Sequence, residues 1–271
     1  MKKILTLLLT LTLCITTAIS TVGCNKKTIT VGASPTPHAE ILEQCKPLLE
    51  AKGFKLKIVK YSDYNTPNIA LQDESLDANY FQHVPFMNTF NSNYPGSLVS
   101  VCKVHYEPFG LYSKKVSKTD YQNKKTGYTI YVPVDGSNLT RALFLLAQEG
   151  LITLPADADP NKNLSVRDIV DNKGNEIVAV EARLVSTLIN DGGLGVINGN
   201  YALSASISIG SALAIEDANG EAASLYANIL AVKKGNENSE KILALKEVLL
   251  SETIKNYINS TYGGAVLSVV A

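Results

Sequence analysis

The sequence has no tryptophan, only 3 histidines in 271 residues, and no excess of charge of either sign. Lys and Arg together number 25, and so do Asp and Glu. No basic patch stands out, so a nucleic-acid partner is not expected. The three histidines, His38, His83 and His105, are far apart, and no His-x-His or His-x-x-His pair exists. Spacing therefore offers no local metal motif, although distant imidazoles can converge in a fold. No Gly-x-Ser-x-Gly elbow or Ser-x-x-Lys run falls in a strand-turn-helix context, and the carboxylates are scattered, which argues against a hydrolase. Repeats and low-complexity tracts are missing too. What remains is an apolar fraction of 45% against 18% charged, the balance of a globular protein with a substantial core. The length allows one large or two medium domains.

The longest apolar run, Ile4 to Ile19, follows Lys2-Lys3 and leads through small residues to Cys24. It is short and ends in a cleavage-like site, so it reads as an export signal and not as a membrane span. Gly23-Cys24 resembles the lipobox of bacterial lipoproteins, in which the cysteine is lipidated and becomes the first residue. The expectation is a signal segment over 1–23, lipidation at Cys24 and a polar tether over 24–27. A plain secreted protein with a free Cys24 is the alternative. Removing a leader that contains two lysines and no acid leaves two more acidic than basic side chains. Of 4 cysteines, Cys14 would leave with the leader and Cys24 would be acylated. An oxidising address permits a disulfide between Cys45 and Cys102, but the reading favours two free thiols.

Along the rest of the chain, Thr28 to Gly32 reads as a strand. Thr36 then looks like a cap, with Pro37 at the first helical position. Ile41, Leu42, Cys45, Leu48 and Leu49 repeat at helical spacing, with a kink expected at Pro47. Phe54 to Tyr61 is a second strand. Strand, helix, strand favours a parallel α/β sheet. Ser62 to Pro67 is a loop after a strand end, where open α/β sheets bind ligands, and Asn68 to Gln72 is a short helix. Asp77 to Met87 mixes aromatics, amides and His83 without either periodicity; Phe81, His83 and Phe86 could line a pocket, or pack as an ordinary core loop. Leu98 to Val104 is a strand that His105 to Ser113 continues, with a domain crossing expected near 113–117.

Val132 to Arg141 is the central stretch. Tyr128 to Val134 is strand-like, Asp135-Gly136-Ser137 is turn chemistry, and Asn138 reads as the N-cap of a helix running to Gln148 and closed by Gly150. A helix start with Arg141 in its first turn suits a small anion. A capped helix with a solvated arginine is the plainer reading. Beyond it, 164–170 reads as a short helix, 176–182 as a strand, 183–189 as a helix, and 195–202 as a buried strand opening into a polar loop. Tyr226 to Val232 is a strand and the return crossing. Ser239 to Ile258 reads as one amphipathic helix.

Several stretches, in this order and spacing, resemble the methionine-binding lipoproteins of bacterial ABC importers, the MetQ/NlpA group. They are Asp77-Ala-Asn-Tyr-Phe-Gln-His83, Pro133 to Leu143, Val196-Ile-Asn-Gly-Asn-Tyr-Ala202, Tyr226-Ala-Asn228, and Ser251-Glu252 through Tyr262 to Val266. Together they span nearly all of the chain after the leader. The resemblance implies an α/β, two-lobed periplasmic-binding-protein-like fold of type II, closing on an amino acid between its lobes, with no catalysis and no cofactor. Lobe 1 would comprise 28–114 with 228–271, and lobe 2 would comprise 115–227. Carried over, Arg141 would pair with the ligand carboxylate, helped by Asn138. Asn198 and Asn228 would hold the amino-acid head group. Tyr64, Phe81, His83 and Phe86 would surround the side chain. The implied partners are methionine or a similar amino acid, a permease and ATPase complex, and the membrane through the lipid anchor, on the extracytoplasmic face. Another amino acid or a Met-containing dipeptide is the alternative ligand. A metal ion held by the three histidines, and an adhesive lipoprotein, are the readings from other classes.

Overall fold

The structure, a computed structural model, describes residues 27–94, 97–217 and 221–270. The expected signal segment, Cys24 and most of the tether lie outside the described residues. The elements in chain order are β1 (Thr28–Ala33), α1 (Glu40–Ala51), β2 (Lys55–Lys60), α2 (Thr66–Gln72), β3 (Ala78–His83), α3 (Val84–Asn93), β4 (Leu98–Tyr106), β5 (Gly110–Tyr112), α4 (Lys118–Asn123), β6 (Thr129–Pro133) and α5 (Gly136–Gln148). Then come β7 (Glu176–Val180), α6 (Ala182–Leu188), β8 (Leu194–Ile197), α7 (Gly199–Ser204), β9 (Ala214–Ile215), α8 (Glu221–Leu225), β10 (Asn228–Lys233), α9 (Glu240–Leu249), α10 (Glu252–Thr261) and β11 (Leu267–Ser268).

Two sheets divide these strands, one in the order β11-β4-β10-β3-β1-β2 and one in the order β7-β6-β8-β5-β9. Each is parallel at its heart. β1 pairs parallel with β2 and β3, and β6 pairs parallel with β7 and β8. Each also carries an antiparallel strand just after the chain arrives from the other sheet, and the first has a second, β11, on its β4 edge. β5 runs against β8 and β9, and β10 runs against β3 and β4. The two sheets thus repeat one order: second, first, third, inserted, fourth. Each sheet has its own core. Ile29, Val31, Leu42, Tyr80, Leu230 and Leu245 are fully buried in the first, and Leu111, Ile130, Leu143, Leu146 and Val196 in the second. The architecture is therefore α/β and two-lobed, with two connections between lobes.

Several expectations are corrected here. β5 pairs with β8, so the chain changes sheets at 107–109, ahead of the 113–117 stretch. Asp77 to Met87 is not a loop. β3 is buried at every one of its residues, so neither alternation nor helical spacing shows in it. Pro35 to Ala39 form an irregular turn with Thr36 extended (φ −137°, ψ 143°), so regular helix starts only at Glu40. The residue before a proline is pushed out of the helical region, which explains the delay. α1 then continues through Pro47 without a break. The polar segment after β8 is the helix α7, with Asn198 at its N-cap position. The 164–170 stretch contains only a single turn, Val166–Asp168. The C-terminal amphipathic run is two helices, because the Ser251 hydroxyl accepts from the Ile254 amide and starts α10 afresh. Cys45 and Cys102 are free thiols.

The inserted strand β10 is the element that returns the chain to the first sheet, and Leu230 sits at its centre. Leu230→Ala is expected to cost about 2–5 kcal/mol through the cavity it leaves. Urea unfolding checks this: the midpoint falls while the slope stays unchanged.

Candidate functional site

The parallel strands point their C-terminal ends at the space between the two sheets, where open α/β folds bind ligands. From the first lobe, β3 ends at His83 and β4 delivers Glu107; β10, antiparallel, starts there with Asn228. From the second lobe, β6 leads into α5, and β8 delivers Asn198. These elements line a partly open cavity with about 350 Å³ of space free of protein atoms, counted out into open solvent. All eight residues expected from the sequence line it: Tyr64, Phe81, His83, Phe86 and Asn228 from the first lobe, Asn138, Arg141 and Asn198 from the second. Gln82, Glu107, Phe109, Gly199 and Asn200 also line it and were not expected.

Tyr64, Phe81 and Phe86 form a triangle of rings with centroids 5.8–6.0 Å apart. Such a cage suits an apolar, polarisable group. His83 stands beside it, 6.3 Å from Phe86 and 5.1 Å from Tyr226. Its tautomer follows from its neighbours. Nδ1 accepts from the Phe86 amide and caps α3, so Nε2 carries the proton and donates to Asn138 Oδ1 at 3.2 Å. Asn138 Nδ2 in turn donates to Asp135 Oδ1 at 2.6 Å. Burial lowers the His83 pKa to about 3, with Arg141 adding to the effect.

The helix start differs from its sequence reading. Asp135, not Asn138, is the N-cap, because its carboxylate accepts from the Asn138 amide at 3.3 Å. α5 begins at Gly136, so Arg141 lies in the second turn. A carboxylate already occupies the positive end of the helix. Burial raises the Asp135 pKa to about 6, against the hydrogen bonds from Asn138.

Arg141 is 4% exposed and is not solvated. Its Nε lies 3.0 Å from both Glu216 oxygens, and Nη2 donates to Glu216 Oε2 at 2.5 Å and to the Glu107 carbonyl at 2.7 Å. Phe109 covers the guanidinium at 3.8 Å. Burial opposes its charge, but Glu216 more than restores it, so its pKa lies above the ordinary value. The remaining nitrogen, Nη1, takes no part in these contacts.

Two acceptors line the cavity together with Arg141. Asn198 Oδ1 is buried and has no hydrogen-bond partner among the described residues. Glu107 is 5% exposed, and burial raises its pKa, while His38, Arg141 and the Asn200 amide pull it down. Glu107 Oε1 lies 2.7 Å from His105 Nε2 and 3.4 Å from His38 Nε2. His38 Nε2 also lies 2.9 Å from Asn228 Oδ1. Burial lowers the pKa values of His38 and His105 to about 4 and about 3.

His38, His105 and Glu107 place their ligand atoms within 4.8 Å of one another, so two of the three histidines do converge; His83 stays apart. Two ligand atoms on one tetrahedral zinc lie about 3.3 Å from each other. The His38–Glu107 edge, at 3.4 Å, has that length, and the His105–Glu107 edge, at 2.7 Å, does not. The His105–Glu107 and His38–Asn228 separations are hydrogen-bond lengths. The donor set is a hydrogen-bonded cluster and does not fit a metal centre.

The chain and its fold have known counterparts. The NlpA lipoprotein family model matches residues 29–270. The chain belongs to the NlpA lipoprotein family. The methionine-binding lipoprotein MetQ of Bacillus subtilis is 40% identical over 249 residues, covering 90% of this chain and 89% of its own. A nutrient binding protein of Burkholderia cenocepacia, solved bound to methionine, is 31% identical with a TM-score of 0.83, covering 89% and 99%. An ABC-transporter periplasmic substrate-binding protein of Coxiella burnetii is 35% identical with a TM-score of 0.81, covering 89% and 100%. Among the described residues of this NlpA-family chain, no helix is long and apolar enough to cross a membrane.

The buried neutral histidines set a pH dependence. Their folded pKa values lie below the ordinary 6.5, so the stability they contribute is complete above pH 6.5 and is lost as the pH falls toward 4. For His38 alone the shift corresponds to on the order of 3 kcal/mol. The raised carboxylates of Asp135 and Glu107 act the other way and offset part of this. The melting temperature, measured by circular dichroism, is expected to be level from pH 8 to 7 and to drop between pH 6.5 and 4. A level curve down to pH 4 contradicts the neutral, buried state of the three rings.

Proposed function

We propose that the chain is the substrate-binding lipoprotein of an ABC importer, taking L-methionine or a close analogue between its lobes and passing it to the permease and its ATPase. It acts by binding alone and needs no cofactor. Lipidation of Cys24 would anchor it at the extracytoplasmic face of the membrane. The lobes would close by bending at the two crossings, one at residues 107–109 and one ahead of β10, a population shift drawn by ligand contacts.

The observation that carries this reading is the split polarity of the cavity. Arg141 brings a guanidinium to the lining. Glu107 and the unsatisfied Asn198 Oδ1 bring acceptors to it. A zwitterionic α-amino acid has the matching charges: its carboxylate pairs with Arg141, and its ammonium with Glu107 and Asn198. Asn228 turns its amide nitrogen to the carboxylate, because its oxygen is taken by His38. Tyr64, Phe81, Phe86 and His83 then receive a thioether, which packs well on aromatic edges. Asn138 works indirectly, by holding His83. The relatives named for methionine, or solved with it bound, support the same choice.

Titration calorimetry with L-methionine tests the assignment. Arg141→Ala is expected to cost about 2–5 kcal/mol of binding. Part of that is the orphaned Glu216, so Arg141→Ala combined with Glu216→Gln isolates the ligand contact. Glu107→Gln, which removes the charge facing the ammonium, is expected to weaken binding at least tenfold. Wild-type affinity within threefold in both the Arg141→Ala/Glu216→Gln and the Glu107→Gln proteins would sink these roles.

A further inference from the structure

The cavity accounts for Glu107, but not for what lies behind it. Tyr80, His105 and His38 are 0%, 0% and 1% exposed, and none of them lines the cavity. They nevertheless form one connected chain that ends on cavity groups. The Tyr80 hydroxyl bonds His105 Nδ1, His105 Nε2 bonds Glu107 Oε1 at 2.7 Å, and His38 Nε2 bridges Glu107 Oε1 and Asn228 Oδ1. The rings pack together, with His38 4.9 Å from both Tyr80 and His105.

With Glu107 ionised, the protons of this chain have one consistent arrangement. A carboxylate oxygen only accepts, so His105 must carry its proton on Nε2. Its Nδ1 is then the acceptor, and Tyr80 must donate to it. Asn228 Oδ1 likewise requires a proton on His38 Nε2. Every donor points toward the cavity, and the chain ends on an ionised Glu107. Left to burial alone, a carboxyl in this place would favour its neutral form. A neutral Glu107 would bring a proton of its own to the cavity and would no longer demand a cation. On the far side, Gly199 leaves the carboxylate its space: a Cβ there would lie 2.8 Å from Glu107 Oε2.

We propose that Tyr80, His105 and His38 are positioning residues that hold Glu107 as an aimed anion, making the site selective for ligands with a free α-ammonium over their des-amino and N-acylated counterparts. This rests on the amino-acid receptor reading above. A ligand without the ammonium leaves Glu107 buried and unpaired, and sites with an unpaired buried polar group reject the deficient ligand strongly, on the order of 10⁴-fold in well-built cases.

The test compares two probes by calorimetry, with competition where binding is weak: L-methionine and 4-(methylthio)butanoate, which differs only by lacking the amine. Both are titrated into the wild type, Tyr80→Phe and His105→Gln. The readout is the ratio of the two affinities, because a variant that merely loosens the fold weakens both ligands alike. The wild type is expected to prefer methionine by at least 10²-fold. His105→Gln should reduce that ratio at least tenfold, and Tyr80→Phe severalfold, with the affinity for 4-(methylthio)butanoate within threefold of wild type in each. Tyr80→Phe removes a single hydroxyl and keeps the ring, so it serves if His105→Gln fails to fold. N-acetyl-L-methionine should behave as the des-amino probe does. A wild type that binds methionine, with variants that keep its ratio or lose both ligands equally, overturns the relay alone. A wild type that binds neither probe nor any other amino acid overturns the receptor reading and the relay with it.

Discussion

The largely buried ion pair between Arg141 and Glu216 is the contact on which the geometry between the lobes depends. Arg141 stands on α5, inside the second lobe. Glu216 stands where the chain leaves β9 for the first lobe. The same carboxylate accepts from the Tyr106 hydroxyl at 2.5 Å and from the Phe109 amide at 3.2 Å, so it also grips the outgoing crossing. Arg141 completes the clamp through the Glu107 carbonyl. Both connections between lobes are thereby tied to one helix. Removing either partner alone leaves an uncompensated charge in the interior, which typically costs about 3–5 kcal/mol.

That pairing also decides the electrostatics of the cleft. An arginine with no internal partner would make the cavity a site for a bare anion. With Glu216 attached, its charge is balanced, and Glu107 adds an anion opposite. The cavity then complements separated charges within one ligand. Contacts across the cleft, Tyr64 to Asn200 at 2.6 Å and His83 to Asn138 at 3.2 Å, hold the lobes together over the cavity. They are single neutral hydrogen bonds, each worth about 1 kcal/mol, weak enough for the opening that the proposed binding cycle calls for.

How much of this was legible in the sequence depended on the kind of signal. Apolar periodicity marked α1, β2 and α5, and the first strand-helix-strand unit showed that the sheet was parallel. The residues around the cavity follow from the resemblance to the MetQ/NlpA group, carried by the ordered stretches at 77–83, 133–143, 196–202 and 226–228, with Tyr64 and Phe86 lying outside those stretches. Glu107 was passed over because it follows a strand in an apolar setting and carries no motif. Its importance comes from His38, 69 positions away in the chain, and from Gly199, neither of which sequence spacing connects to it. Glu216 was missed for the same reason. Asn138 reads as the helix cap in the sequence because Asp135, Ser137 and Asn138 are all capping residue types, and only the fold selects Asp135. β3 escaped notice because a central strand buried on both faces has no period to read. Its amides are satisfied within the fold: Asn68, Asn79 and Gln82 bond one another in a closed buried cluster.

Native mass spectrometry of the chain from Asn25 onward, as purified and again after denaturation, tests the central claim most directly. A cleft shaped for a zwitterion with an apolar, polarisable side chain should retain its ligand. The account predicts one bound molecule per chain, released on unfolding with the mass of methionine. No released ligand, followed by no thermal shift with any amino acid, would contradict it.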